Sequence, residues 1–322
     1  MADYFVNKVN SSFKSCKKPE KALIVGLTCI DIVNECKEFP IEDQDSRVLS
    51  QTWAVGGNAA NTSRVLAQHE NVDVHLFSGL SNKNENSFVI NDLKSYGVNL
   101  EHCSVYENKM FPTSCCILNS QNGSRTILAC NHDFPKLDHE KFKTMDILSY
   151  NIIHFEGRDI PQISQMIDHV ITARGDNELP LISGEMEKPR RLTEMKNLLQ
   201  NKCDILIISK DIAKAKGFQT ASETLEYYSK LESIKAKYIV CTWGEKGASF
   251  AEKANDERWK IEDMPSFKID QPVDTLGAGD VFNAGLLYGI LGQNTLKDST
   301  KYACFLAKEK CLQLGFKNLS YT

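Results

Sequence analysis

The sequence predicts an α/β protein: a doubly wound, mostly parallel sheet with helices on both faces and a small β-sheet lid. Three observations carry this. Short apolar runs recur between stretches of helical period from residue 22 to residue 244. A long apolar helix pattern follows two glycines in "DTLGAGDVFNAGLLYGILG" (274–292). A strand–turn–strand signature interrupts the alternation at 112–130. Strands that alternate with helices imply crossover connections, parallel pairing and two covered faces.

Residues 1–20 read as a polar tail and 21–322 as one domain. The first strand is "ALIVGLT" (22–28), an apolar run stopped by turn chemistry. "VHLFSGL" (74–80) reads as the next buried strand. "NENSFVINDLKSYG" (84–97) reads as a helix with Val89, Leu93 and Tyr96 on one face and Gly97 as its C-cap. Further strands are expected in "NIIHFEG" (151–157), "LPLISGE" (179–185), "DILIISK" (204–210) and "YIVCTWG" (238–244). One helix between them opens with "TASE" (220–223), where Thr220 and Glu223 are spaced for a reciprocal capping box. Two regions leave the rhythm. Residues 32–56 are polar with little helical period, and 112–130 set "CCIL" and "RTILA" on either side of an Asn122-Gly123 turn. Both are assigned to a lid over the carboxyl ends of the main strands, where open α/β sheets take ligands.

With 322 residues, 42% of them hydrophobic and 25% charged, the chain can bury a substantial core. A net charge of −4 provides no basic bulk for nucleic acid or an anionic membrane. The N-terminus lacks the apolar segment of a signal peptide, and no run of about 18 apolar residues occurs, so neither secretion nor a membrane span is expected. Eleven scattered cysteines, without CxxC or zinc-ligand spacing, read as free thiols of a reducing compartment, and the expected location is cytoplasmic.

There is no GxxxxGK[ST] and no GxGxxG after a strand, which leaves a P-loop and a dinucleotide site without support. Residues 277–280 offer a different anion site. Gly277 and Gly279, with Ala278 between them, let main chain approach a ligand, and the helix that follows presents free N–H groups at its positive end. Asp280 either caps that helix or takes a proton from an attacking hydroxyl while the N–H groups hold the charge of a phosphoryl group. In "WAVGGNAANTSRVLAQ" (53–68), Gly56 and Gly57 permit a tight approach and Asn58 and Asn61 fall one helical turn apart. Their amides, with the Asp31 carboxylate, suit the hydroxyls of a sugar. Read alone, the segment is a glycine turn with an asparagine cap. His132 and Asp133 read as a loop pair, 252–258 as a solvated turn, and Trp53 and Trp243 as packing residues beside the two sites.

Taken together, "GGNAAN" (56–61) and "DTLGAGDVFNAG" (274–285) resemble the two signatures of the ribokinase/PfkB carbohydrate kinase family, and the likeness covers the chain after residue 20. A narrower likeness, to the members that phosphorylate ketohexoses, rests on "GLTCID" (26–31), "GSRTIL" (123–128), "HFEGR" (154–158), "EMEKPR" (185–190), "SKDIAKAKGFQ" (209–219) and "TWGEKGA" (242–248). The resemblance implies a ribokinase-like fold and ATP-dependent phosphorylation of a ketohexose, D-fructose to fructose 1-phosphate. The rivals are another sugar or nucleoside kinase of the family and a non-catalytic sugar- or nucleotide-binding regulator. It implies Asp280 as base and Gly277, Ala278 and Gly279 as anion hole. Asp31, Gly57, Asn58 and Asn61 match its sugar contacts. Arg125 matches an arginine on the ATP phosphates, a role suited to a guanidinium, and Gly244, Glu245, Lys246 and Gly247 match an adenine-nucleotide loop. The implied partners are a sugar, ATP with Mg2+ and a second copy joined through the β lid, with room for a monovalent cation such as K+.

Two departures stand out. Family members carry Asn-x-x-Glu where this chain reads "SKDI" (209–212), so no protein metal ligand is assigned and magnesium would be held by phosphates and water. Leu312 stands where relatives tend to have glycine, which bears on adenine fit or cation dependence.

Overall fold

The computed structural model describes residues 19–83, 87–122, 124–189 and 201–320. The expected tail therefore lies, up to residue 18, outside the described residues, as do residues 84–86 of the expected helix, Gly123 of the expected turn and Arg190.

The chain enters through β1 (Glu20–Val25), leaves the main sheet for β2 (Cys29–Cys36) and β3 (Ser50–Gly56), and turns into α1 (Asn58–Leu66). After β4 (Val72–Phe77), the short strands β5 (Gly79–Ser81) and β6 (Ser104–Tyr106) bracket α2 (Ser87–Ser95). The hairpin strands β7 (Thr113–Asn119) and β8 (Arg125–Cys130) precede α3 (His139–Lys143), β9 (Ile152–Phe155), α4 (Ile160–Arg174), β10 (Leu181–Met186) and β11 (Ile205–Ile208). Then come α5 (Lys210–Ala215), α6 (Ala221–Ser229), β12 (Tyr238–Thr242), β13 (Ala248–Lys253), β14 (Trp259–Met264), α7 (Ala278–Leu291) and α8 (Leu296–Cys311).

The main sheet has eight strands in the order β14-β13-β12-β11-β10-β9-β1-β4. From β4 to β12 every pairing is parallel. The antiparallel edge of β13 and β14 was not anticipated, because the 252–258 turn hid the strands on either side of it. Alternation along β1 divides the core. Ala22 and Ile24 face one cluster with α1, α7 and α8, and Leu23 and Val25 face the other with α4 and α6.

Two expectations need adjusting. The run 74–80 is broken at Ser78, whose carbonyl accepts from Ser104 N at 2.9 Å, so β5 joins β6 in a separate two-stranded sheet. Thr220 does cap α6, but Glu223 Oε2 accepts from Gln219 N at 2.8 Å, one residue earlier than a capping box requires. The second lid segment and the first pair as expected: β3-β2-β7-β8 form a four-stranded sheet of their own.

Helices α7 and α8 pack closely because small residues line their contact. A Cβ on Gly285 would stand 2.9 Å from Ala303 Cα, and one on Gly289 2.5 Å from Ser299 Oγ. That close approach buries Leu286, Leu287 and Leu306 completely, each worth roughly 1.5–3 kcal/mol, and fixes where α7 begins.

Candidate active site

Parallel strands deliver their carboxyl ends to one edge of a sheet. Here that edge collects Gly26 after β1, Glu156 after β9, Glu185 and Glu187 at the end of β10, Ser209 after β11 and Gly244 after β12. Chain turns sharply there. Gly57, at φ 98°, precedes α1, and a Cβ on it would lie 2.3 Å from Leu27 O. Helix α1 starts at Asn58, so Asn58 and Asn61 are one turn apart, as their spacing implied. Glu156 ties the turn down: its carboxylate accepts from Leu27 N at 2.8 Å, Ala59 N at 3.2 Å and Arg158 Nε at 2.7 Å. Burial opposes its charge, but Arg158 and the two backbone donors prevail and hold the carboxyl below its usual range.

Asp280 occupies the first turn of α7, behind Gly277 in the left-handed conformation at φ 78°. It does not cap the helix. Asn61 Nδ2 donates to Asp280 Oδ2 at 2.7 Å, joining α1 to α7, and Thr62 Oγ1 donates to the Asp280 carbonyl at 3.4 Å. Arg64 Nη2 in turn donates to Asn61 Oδ1 at 2.5 Å and to Val55 O at 2.6 Å, which fixes which end of the Asn61 amide faces the carboxyl. Phe316 closes the back of the loop: its ring lies 2.5 Å from where a Gly277 Cβ would stand, and Arg64 sits 4.5 Å over the ring. In front, a Cβ at Gly279 would meet no protein atom within 4 Å. The helix start is thus open to a ligand, with a buried carboxyl beside it.

The electrostatics of that carboxyl are unusual. Burial pushes Asp280 well above the usual carboxylate range; the Glu185 charge adds to the shift and the Asn61 bond opposes it. Glu185 is pushed up too, by burial and then by Glu187 and Glu156. Asn58 Nδ2 bridges the β10 pair, at 2.8 Å from Glu187 Oε2 and 3.4 Å from Glu185 Oε2, and Lys188 pairs with Glu187. Asp31, on β2, is buried under Gly56, where a Cβ would stand 2.2 Å from its carboxylate. Burial raises its pKa, against bonds from Cys29 and Ser114.

Arg125 opens β8, and its Nη1 donates to Thr275 O at 3.2 Å, so the lid reaches the loop before α7 across 150 residues of sequence. Gly244–Lys246 form a 3-10 turn after β12; Glu245 turns to Lys210 at 3.0 Å, and Gly247, at φ 96°, could not carry a Cβ beside Met264 O. Ser209 of "SKDI" caps α5 through Ile212 N, and Leu312 is exposed just past α8. His132 and Asp133 lie in the loop after β8, Trp243 is buried in the core and Trp53 is exposed on the lid.

The sequence reading missed Glu156, Glu185, Glu187 and Arg64 as parts of this site. The first three had a signal: each is a charged residue at the end of an apolar strand run. Arg64 had none, since a helical arginine is ordinarily a surface residue.

The family profile of pfkB carbohydrate kinases matches residues 19–320. Ketohexokinase of Mus musculus is 33% identical over 304 residues, spanning 93% of this chain and 99% of that protein. Guanosine-inosine kinase of Exiguobacterium acetylicum is 22% identical over 293 residues, spanning 90% and 93%. Among solved structures, ribokinase from Giardia lamblia superposes with a TM-score of 0.80 at 13% identity, covering 93% of this chain and 96% of that one. Ribokinase from Cryptococcus neoformans in complex with ADP gives 0.75 at 19% identity, covering 93% and 96%. The fold is that of ribokinase, and the chain belongs to the pfkB family of carbohydrate kinases.

Proposed function

We propose that this protein transfers the γ-phosphoryl group of ATP to a primary hydroxyl of a ketohexose, D-fructose to fructose 1-phosphate. One observation carries the reading: a buried carboxyl, Asp280, held by Asn61 beside a helix start that is open at Gly279. The 33% identity to mouse ketohexokinase favours a ketohexose over ribose or a nucleoside.

In this reading ATP and the sugar meet at the start of α7. Asp280 accepts the proton of the attacking hydroxyl, and the N–H groups at Gly277, Ala278 and Gly279 hold the charge on the transferring group. Asp31, Gly57, Asn58 and Asn61 hold the sugar. Arg125 contacts ATP phosphates, and residues 244–247 border the adenine. Residues 21–322 act as one kinase domain, with 32–56 and 112–130 as its lid. Two copies pair through that lid in the cytoplasm.

Among the described residues no group of three or more acidic, histidine or cysteine side chains is placed to hold a metal ion. No step is assigned to a protein-bound metal; magnesium would enter with the nucleotide. The experiment is an ADP-release assay over fructose, ribose and nucleosides, with the product identified by NMR. Phosphate on the fructose C1 oxygen is the expected result, and turnover confined to ribose or a nucleoside would overturn the assignment.

A further inference from the structure

Lys310 is one of the largest fully buried side chains in the molecule, with 0% of its surface exposed. It lies in the last turn of α8, where the helix dipole favours a cation. Its ammonium donates to Asp274 Oδ2 at 2.6 Å and to the Asp274 carbonyl at 3.1 Å, and stands 5.3 Å from the centre of the Phe316 ring. The other Asp274 oxygen, Oδ1, accepts from Leu276 N at 2.9 Å. Val273 N donates to Cys311 O at 2.7 Å, so the end of α8 is also tied to this segment through main chain. The next carbonyl, Thr275 O, takes Arg125. All of these hydrogen bonds fall on residues 273–276, directly before the open turn at 277–279.

A buried lysine needs such partners, because an ammonium without them is costly to take out of water. Its position has a consequence for the loop. The resemblance leaves room for a monovalent cation, and an unhydrated ion beside the 277–279 turn would draw on the Asp274 carbonyl and carboxylate. Lys310 already occupies those oxygens. The residues here do not fit a dissociable ion at Asp274.

We propose that Lys310 is a built-in cation: a positioning residue that holds the main chain of 274–279 in the geometry a phosphoryl group requires, in place of an exchangeable monovalent ion. This rests on the kinase reading above. The ammonium acts through Asp274 and the loop and touches neither sugar nor nucleotide.

The test begins with the unmodified protein, assayed in potassium, sodium and choline chloride at equal ionic strength. The rates should agree within about twofold, since only general screening remains. Stimulation by potassium of about tenfold over choline, the size expected when a charge at an anion site is supplied, would overturn the proposal. Lys310→Met leaves the half-buried Asp274 carboxylate without its counter-ion and is expected to melt early, so Lys310→Met/Asp274→Asn is made beside it. The double variant should recover most of the melting temperature while its affinity for Mg·ATP, read by calorimetry, stays at least about tenfold weaker and its kcat about tenfold lower. If the double variant regains stability, nucleotide affinity and kcat together, the lysine is only structural and the proposal fails. If the unmodified protein phosphorylates no sugar or nucleoside, the kinase reading fails instead, and calorimetry still decides the part of Lys310.

Discussion

Asn61 and Asp280, 219 residues apart in sequence, meet through one buried hydrogen bond of 2.7 Å between the first turns of α1 and α7. That bond joins the two glycine-containing segments into one site. It also assigns the amide an orientation, because Arg64 holds the Asn61 oxygen and leaves only the nitrogen for the carboxyl.

If Asp280 accepts the hydroxyl proton, Asp280→Asn should lower kcat by at least about 100-fold while sugar binding is largely kept. The isosteric amide fills the same space, so packing of α7 should not change. Steady-state kinetics and a sugar titration check this; near-normal turnover removes Asp280 from the role.

The pH profile should report the same carboxyl. A base must be ionised, so kcat/KM should rise with pH through its pKa. Burial and the Glu185 charge raise that pKa and Asn61 lowers it, so the acid limb should lie above the ordinary carboxylate range. Removing a raising influence lowers it: Glu185→Gln should move the limb to lower pH. Removing the stabilising donor does the reverse: Asn61→Ala should move it to higher pH. Profiles of the three proteins that superimpose would sink this account.

Gly279→Val should impair ATP use in a folded protein. A Cβ at 279 meets no protein atom, so the substitution costs little in packing and falls wholly on whatever binds in the open space. The same change at Gly277 would not separate these effects, since Phe316 already fills that volume. Unchanged kcat and KM for ATP in Gly279→Val would show that the turn cradles no phosphate.

The alternation of apolar runs with helical stretches made the parallel sheet legible, and the Asn122-Gly123 signal made the β7–β8 hairpin legible. The glycines at 57 and 277 were readable as sites of close main-chain approach, and the structure gives both a positive φ. What sequence could not show was which charges share a pocket. Glu156 and Glu185 are defined by partners more than a hundred residues away, Leu27 and Asn58, and Arg64 by burial that only the packed fold creates. The antiparallel strands β13 and β14 were hidden for another reason: β14 is the sheet edge, where Lys260, Glu262 and Asp263 leave no apolar run, and β13, though mostly buried, runs straight into the polar 252–258 turn.

The lid should pair two copies. Trp53, Ile32, Cys115 and Leu128 stand opposite one another across the four strands and so share one face. Trp53 is 57% and Leu128 59% exposed on it, which is costly for a thin sheet left in water. Light scattering should give the mass of two chains, and Trp53→Glu/Leu128→Glu should give one. A fully active monomer at assay concentration would rule the pairing out.

Substrate choice should follow from unpaired groups. Asn58 is held between Glu185 and Glu187, and Asp31 is buried beneath Gly56, so in the proposed role both would meet a sugar in fixed orientations. A sugar lacking a hydroxyl that such a group expects leaves it buried without a partner, at about 1–3 kcal/mol each. That corresponds to roughly a 5- to 150-fold loss per missing contact. Ribose lacks one carbon and its hydroxyl, and adenosine replaces the anomeric hydroxyl with a base, so both should fall behind fructose in kcat/KM. Asn58→Ala frees Glu185 and Glu187 as well as removing an amide, and should raise the KM for fructose far more than that for ATP. The decisive measurement is kcat/KM for fructose, ribose and adenosine on one preparation. A tenfold advantage for ribose or adenosine would leave the fold and Asp280 standing and remove the ketohexose.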